Sequence, residues 1–363
     1  MERRKKMLVI CPYPQNIAPA QRLKYEQYFD DWRKNGFDIE VSPFFRDRLQ
    51  QILYRKGHIP EKIYWVLKAY LKRFTELFKV HRYDLVYIFL WVTPFGPPFM
   101  ERLFVKRNPN IVYDIDDAVF MKIKSVSNSS TDFIRGRNKP FFLMRKAKQV
   151  ITCTPFLLEV ALKYNSKVTD ISSTINTTIY QPVNNYQNDH KLILGWSGSH
   201  TTSQFLYLIK DVLLELNKRR PFKLIVMGGS EFDIEGLDIE TKAWSVEAEV
   251  PTLQQFDIGI YPLPLDNDFV LGKSGLKALQ YMAVGIPVIA TAVGTNYRII
   301  EDGTNGILVK THEEWITKLE LLMDNPALRK SLGLAGRKNV LENYSIDVNA
   351  PVYINILKSV CRN

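Results

Sequence analysis

The chain has 363 residues, 46% of them apolar and 24% charged, with 18 Gly and 19 Pro. At about 150 residues per domain this is enough for two cores, and it excludes a disordered, collagen-like or low-complexity protein. The net charge of +11 is uneven: residues 1–185 hold 31 Lys and Arg against 17 Asp and Glu, leaving 18 against 21 of the totals of 49 and 38, so the first half is built to face a polyanion.

Met7–Cys11 is the first predicted strand. Its five apolar residues, ended by Pro12, are too short for a signal peptide or a bilayer span, and predict a chain that is soluble or at most peripheral. A helix is expected at Gln21–Asn35, a strand at Asp38–Pro43 and a long amphipathic helix at Glu61–Val80. Strands follow at Leu85–Leu90, Ile111–Ile115, Gln149–Thr152 and Val168–Ile171. Hydrophobic periodicity stops over Asn176–His190, which reads as the interdomain linker. Beyond it, strands are predicted at Leu192–Trp196, Lys223–Met227, Thr241–Trp244, Asp257–Tyr261, Val288–Ala290 and Gly306–Val309. Helices are predicted at Thr202–Arg219, Thr252–Gln255, Ser274–Val284, His312–Asp324 and Ala327–Glu342. Buried runs alternating with helices imply an α/β fold with two Rossmann-like, doubly wound domains facing across a cleft. The expected boundaries are 1–185 and 186–345, with a C-terminal helix at 346–363 packing back on the first domain. Cys11, Cys153 and Cys361, odd in number and far apart, form no metal or disulfide framework, which fits a reducing cytoplasm.

Two stretches of the second half suit a phosphate. In Leu194–Thr202 a strand runs into Gly198-Ser199-His200, with Thr201 or Thr202 opening a helix, so that backbone N–H groups lie beside a positive helix end. The spacing fits neither a Walker loop nor the Gly-x-Gly-x-x-Gly fingerprint, which disfavours a dehydrogenase. In Gly272–Ile289 a glycine turn, Ser274-Gly275, opens a helix that carries Lys273 and Lys277 four residues apart. Two cations beside a helix start suit a diphosphate better than solvent.

The run Leu271–Ile289, with Ala292-Val293-Gly294 and Ile300-Glu301-Asp302-Gly303-Thr304-Asn305-Gly306 after it, resembles the donor domain of family 4 glycosyltransferases of the GT-B fold (glycosyl transferases group 1). The likeness covers roughly residues 190–345. Pro12-Tyr13-Pro14 and Asn16–Arg22 resemble, more loosely, the family's first loop. The chain departs from the pattern where the family carries two glutamates: Gly272 and Gln280 stand there. Gly198-Ser199-His200 replaces the usual Arg/Lys pair. The resemblance implies a retaining hexosyltransferase that moves a sugar from a nucleotide-diphosphate donor, without an obligatory metal or other cofactor, to a glycan or lipid-linked acceptor. A role in surface polysaccharide assembly follows from it. Donor contacts are expected from Gly198, Ser199, His200, Trp244, Ser245, Lys273, Ser274, Gly275, Lys277 and Gln280, the last reaching a ribose hydroxyl.

On the acceptor side the candidates are Asn16, Arg22, Asp116 and Asp117. Asp114-Ile115-Asp116 matches the metal-binding Asp-x-Asp of GT-A enzymes, but at a strand's carboxyl end Asp116 and Asp117 fit acceptor contact or proton relay better than a metal, and capping by Asp117 is the structural alternative. Asp116, Asp117 and Lys273 are the catalytic candidates. Arg46–Arg82 interleaves ten Lys and Arg with aromatics. Tyr64, Leu67, Leu71, Phe74 and Phe78 follow helical spacing, so this helix either lies on an anionic leaflet or turns the stripe into the core. No nucleic-acid module is recognisable. The activities that compete with transfer are epimerisation of a nucleotide sugar on the same fold and non-catalytic binding of one.

Overall fold

The computed structural model describes residues 3–53, 55, 57–121, 136–182, 186, 191–229 and 231–361. The chain divides into two compact units, Met1–Ser172 with Asn349–Asn363, and Ser173–Val348. Each is an α/β domain on a six-stranded sheet whose paired strands all run parallel.

In the first domain β1 (Lys5–Cys11), β2 (Phe37–Pro43), β3 (Leu85–Phe89), β4 (Ile111–Asp114), β5 (Gln149–Thr152) and β6 (Val168–Asp170) lie in the order 2-1-3-4-5-6. In the second, β7 (Ile193–Ser197), β8 (Lys223–Met227), β9 (Asp238–Lys242), β10 (Ile258–Tyr261), β11 (Val288–Thr291) and β12 (Ile307–Val309) lie in the order 12-11-10-7-8-9. Both orders reverse once, between β1 and β3 and between β7 and β10. At such switch points loops diverge to opposite faces and open a crevice at the strands' carboxyl ends. The β-branched runs were legible because strands covered on both faces read as continuous apolar stretches.

Four expectations are corrected. Gln21–Asn35 is broken into the helix Pro19–Arg22, a 3₁₀ turn Glu26–Tyr28 and the helix Phe29–Lys34, because Gln21, Lys24 and Glu26 all turn inward. β9 ends at Lys242, before Trp244. The helix expected at Thr252–Gln255 runs over Val246–Leu253, started by Ser245, whose Oγ accepts the Ala248 N–H. The division lies at Ser172, not at 185, since Ile175 pairs with Ser345 and the Thr177 and Tyr180 carbonyls accept from Arg337 in the second unit. Of the expected linker, 183–185 and 187–190 lie outside the described residues.

In the first domain the helix Ile346–Val360 brings Tyr353 between Tyr28 and Trp32, with ring centroids 4.7 and 5.6 Å away. In the second, glycines let rings lie flat on the sheet. A Cβ on Gly259 would stand 2.4 Å from the Tyr281 ring, and the Tyr281 hydroxyl accepts the Ser197 N–H at 2.9 Å. Gly259→Ala must push this ring aside, with an expected loss of about 1–3 kcal/mol. A urea midpoint equal to that of the wild type would contradict the close contact.

Candidate functional site

The second domain's switch point falls between the ends of β7 and β10, and there the sequence places Trp196 and Tyr261. The Lys277 ammonium sits 5.2 Å from the centroid of each ring. Gly198 makes this possible: a Cβ on it would stand 2.3 Å from the Trp196 ring and 2.8 Å from Lys277 Cε. Lys277 belongs to the first turn of the helix Leu276–Ala283, and Gly275, at φ +71°, caps that helix without a side chain. Its opening N–H groups are therefore left to a ligand or solvent. A side chain is excluded at Gly275 twice, by the left-handed backbone and by Ile299 Cδ1, 2.3 Å from where a Cβ would be.

Among the described residues Lys277 has no hydrogen-bond or ion-pair partner. Burial among the two rings, then the charge of Lys273, lowers its pKa from 10.5 to about 7. Lys273 itself lies over the Phe269 ring at 4.4 Å. Two ammonium groups next to an uncapped helix start form a site that suits an anion.

Other expected donor contacts are arranged differently. The Gly198 N–H is used by the Met227 carbonyl at 3.0 Å. The Ser199 N–H is used by Thr202 Oγ1 at 3.1 Å, within a capping box that starts the four-residue helix His200–Ser203. Gly198 and Ser199 thus shape the loop rather than offer those two N–H groups to a phosphate. His200 is exposed, with Nε2 4.0 Å from Glu231. Gln280 is only 4% exposed. Its amide donates to Glu249 Oε1 at 3.0 Å and to the Tyr180 hydroxyl at 3.2 Å. Trp244 Nε1 donates to the same Oε1 at 2.9 Å, and the Tyr180 hydroxyl donates to Oε2 at 2.5 Å. Gln280, expected to reach a ribose hydroxyl, belongs to a buried network in which a carboxylate from the Val246–Leu253 helix collects three donors. Trp244 and Ser245 serve it by positioning Glu249 and by starting its helix.

In the first domain the loop after β1 is held from below. Gln21 Oε1 accepts the Tyr13 N–H and Gln21 Nε2 donates to the Tyr13 carbonyl, both at 2.9 Å, and Nε2 also donates to Glu26 Oε1. Asn16, exposed and at φ +63°, donates its N–H to Glu26 Oε2 at 2.9 Å. Burial raises the Glu26 carboxyl, opposed by the Asn16 N–H, the Gln21 amide and the charge of Arg22. Asn16 and Arg22 therefore come together around Glu26.

Asp116 and Asp117 are half-buried beyond the end of β4. The Asp116 carbonyl accepts from Cys153 Sγ at 3.2 Å, and Asp117 Oδ1 accepts the Ala118 N–H at 2.8 Å. Asp114 is wholly buried, bonded by the Tyr87 hydroxyl and 3.7 Å from Lys24 Nζ, and burial raises its carboxyl. It is thereby withdrawn from the Asp-x-Asp pairing.

Sequence reasoning missed Trp196 and Tyr261 as walls, Glu249 as the hub of a network, and Gln21, Glu26 and Lys24. The Ser245-x-x-Ala248 cap ahead of an acidic first turn was the one available signal for Glu249.

Residues 191–325 match the family described as Glycosyl transferases group 1. Over 140 residues the chain is 31% identical to a D-inositol 3-phosphate glycosyltransferase of Pseudarthrobacter chlorophenolicus. Over 133 residues it is 30% identical to a trehalose synthase of Pyrococcus horikoshii. The matched regions cover 35% and 36% of this chain, and only 33% and 30% of those relatives. A sucrose-phosphate synthase from Thermosynechococcus elongatus superposes at a TM-score of 0.71 with 15% identity, covering 98% of this chain and 99% of that one. Anabaena HepE in complex with UDP-glucose superposes at 0.68 with 13% identity, covering 98% and 99%. At these identities the superpositions establish the GT-B fold.

The lowered pKa of Lys277 has a measurable consequence. An anion bound beside it favours the charged form, so above pH 7 binding takes up a proton and weakens as pH rises, by up to about tenfold per pH unit. Calorimetry of UDP from pH 7.5 to 9.5 should show this slope, and Lys277→Met should flatten it. The same slope in the variant would remove Lys277 from the anion.

Proposed function

We propose that this chain, whose second domain belongs to the group 1 glycosyltransferases, moves a sugar from a nucleotide-diphosphate donor to a glycan or lipid-linked acceptor. The observation that carries the proposal is the Lys277 ammonium, seated between Trp196 and Tyr261 at the switch point with no carboxylate partner among the described residues. In the reaction the bond from the anomeric carbon to the donor phosphate breaks while the acceptor oxygen bonds to that carbon. The electron pair leaves with the diphosphate. Lys273, Lys277 and the N–H groups opening the Leu276–Ala283 helix stabilise that growing charge, and neither metal nor other cofactor takes part. Asp116 and Asp117 engage the acceptor hydroxyl, whose proton passes to the leaving phosphate. Family 4 character and retention at the anomeric carbon complete the reading, together with work on surface polysaccharide at the cytoplasmic face of a membrane. The UDP-glucose bound by the Anabaena protein makes uridine donors the first to test.

Incubation with a panel of nucleotide sugars, with and without acceptor, tests the activity. Consumption of donor without acceptor would favour epimerisation, and binding without turnover a non-catalytic role. Asp116→Asn or Asp117→Asn should cut transfer by about 10²–10⁴-fold, the span for a lost base or positioning group, with donor affinity kept. Full activity in both variants would leave these aspartates structural. Chelator should leave the rate unchanged, and activity restored only by a divalent ion would overturn the metal-free mechanism.

A further inference from the structure

The long helix of the first domain is found at Ile59–Leu77, and it turns its apolar stripe outward. Ile59, Ile63, Leu67, Leu71, Phe74 and Phe78, spaced by three or four residues, are 48–67% exposed. The helix is not loosely placed. Its opposite side buries Ala69, Arg73 and Leu77, and the Arg73 guanidinium donates to the Val92 carbonyl at 3.0 Å and the Ser42 carbonyl at 2.7 Å.

The stripe continues onto a second element. Phe95 and Phe99 are 44% and 62% exposed. With Leu67, Leu71, Phe74 and Met100 they line a groove of about 730 Å³. The loop that carries Phe95 is fixed from behind, its carbonyl accepting from the Tyr70 hydroxyl at 3.0 Å and from Lys139 Nζ at 2.9 Å. Apolar tips are thus held out on rigid supports, where a soluble surface would bury or disperse them.

The charge beside the stripe chooses the partner. The acidic groups of the helix are engaged, Glu61 with Arg48 and His58, and Glu76 with Lys72 and Arg73. Lys68 and Lys79 are exposed, and the Arg107 guanidinium lies 5.9 Å from the Phe78 ring. A cationic margin along an apolar, aromatic-rich face matches anionic headgroups above acyl chains and repels a second copy of itself. No described helix is long and apolar enough to cross a membrane.

We propose that the Ile59–Phe78 face, with Phe95 and Phe99, docks the first domain on an anionic lipid leaflet. The proposal deepens the membrane-proximal part of the function above and is independent of the donor chemistry. The test is sedimentation of the full chain with vesicles of phosphatidylglycerol and phosphatidylcholine, against phosphatidylcholine alone. Binding should require the anionic lipid and weaken with added salt. The double variant Leu71→Glu, Phe74→Glu should lose about tenfold or more of its partitioning, because it places charge in the apolar layer. Leu321→Glu, at an exposed site of the second domain, should not change it. Equal melting temperatures and an unchanged thermal shift with UDP would show that fold and donor site are intact in the variants. Failure of the wild type to bind anionic vesicles, or equal binding by the double variant, overturns the proposal. So does a dimer in solution that the double variant dissociates, which would make a second copy the occupant.

Discussion

An ammonium group half-buried between two aromatic rings, with no neutralising partner among the described residues, is the constraint around which the second domain's crevice is arranged. Burying a charge alone is costly, and a side chain placed so pulls toward its neutral form. The fold nevertheless supports Lys277 from three directions: glycine at 198 makes room for its stem, and the rings of Trp196 and Tyr261 face its charge. Aromatic faces attract a cation without neutralising it. The site therefore holds a standing demand for negative charge, which is what a diphosphate brings.

The first domain shows the opposite solution with the same residue type. Lys24 is wholly cut off from water, and its Nζ donates to the Thr152 carbonyl at 3.1 Å and to the Ile171 carbonyl, and stands 3.7 Å from Asp114. Its own carbonyl accepts from the Tyr353 hydroxyl at 3.3 Å. Here the ammonium ties the ends of β4, β5 and β6 to the short helices after β1, and the backbone of the same residue reaches the Ile346–Val360 helix. A buried lysine with acceptors all round is a rivet, and one without them is a receptor. Arg73, bonded to the Ser42 and Val92 carbonyls, belongs with Lys24.

How much of this was legible follows from how local each signal is. The strands of both sheets could be read because their apolar runs are continuous, and Gly275 because a glycine before a helix is a backbone event written in one residue. The pairing of Lys273 with Lys277 was legible as a spacing. The rings around Lys277 were not, since Trp196 and Tyr261 stand 65 positions apart and meet only through the adjacency of β7 and β10. The network around Gln280 was hidden for a similar reason: its partners Glu249 and Tyr180 come from distant segments. The stripe from Ile59 to Phe78 shows a different limit. Its period fixed the helix but not which side of it met the core, because a helix with an apolar stripe looks alike in sequence whether that stripe is buried or presented.

The return of Asn349–Asn363 to the first unit sets an order of events during synthesis. The segment that supplies Tyr353 to the Tyr28 and Trp32 cluster emerges only after all of Ser173–Val348 has been made. The domain that is begun first is thus the one completed last. While the ribosome translates the middle of the chain, the second domain can close on its own sheet, whereas the first waits with an aromatic face uncovered. Such a half-finished face is the kind of surface that holding chaperones protect.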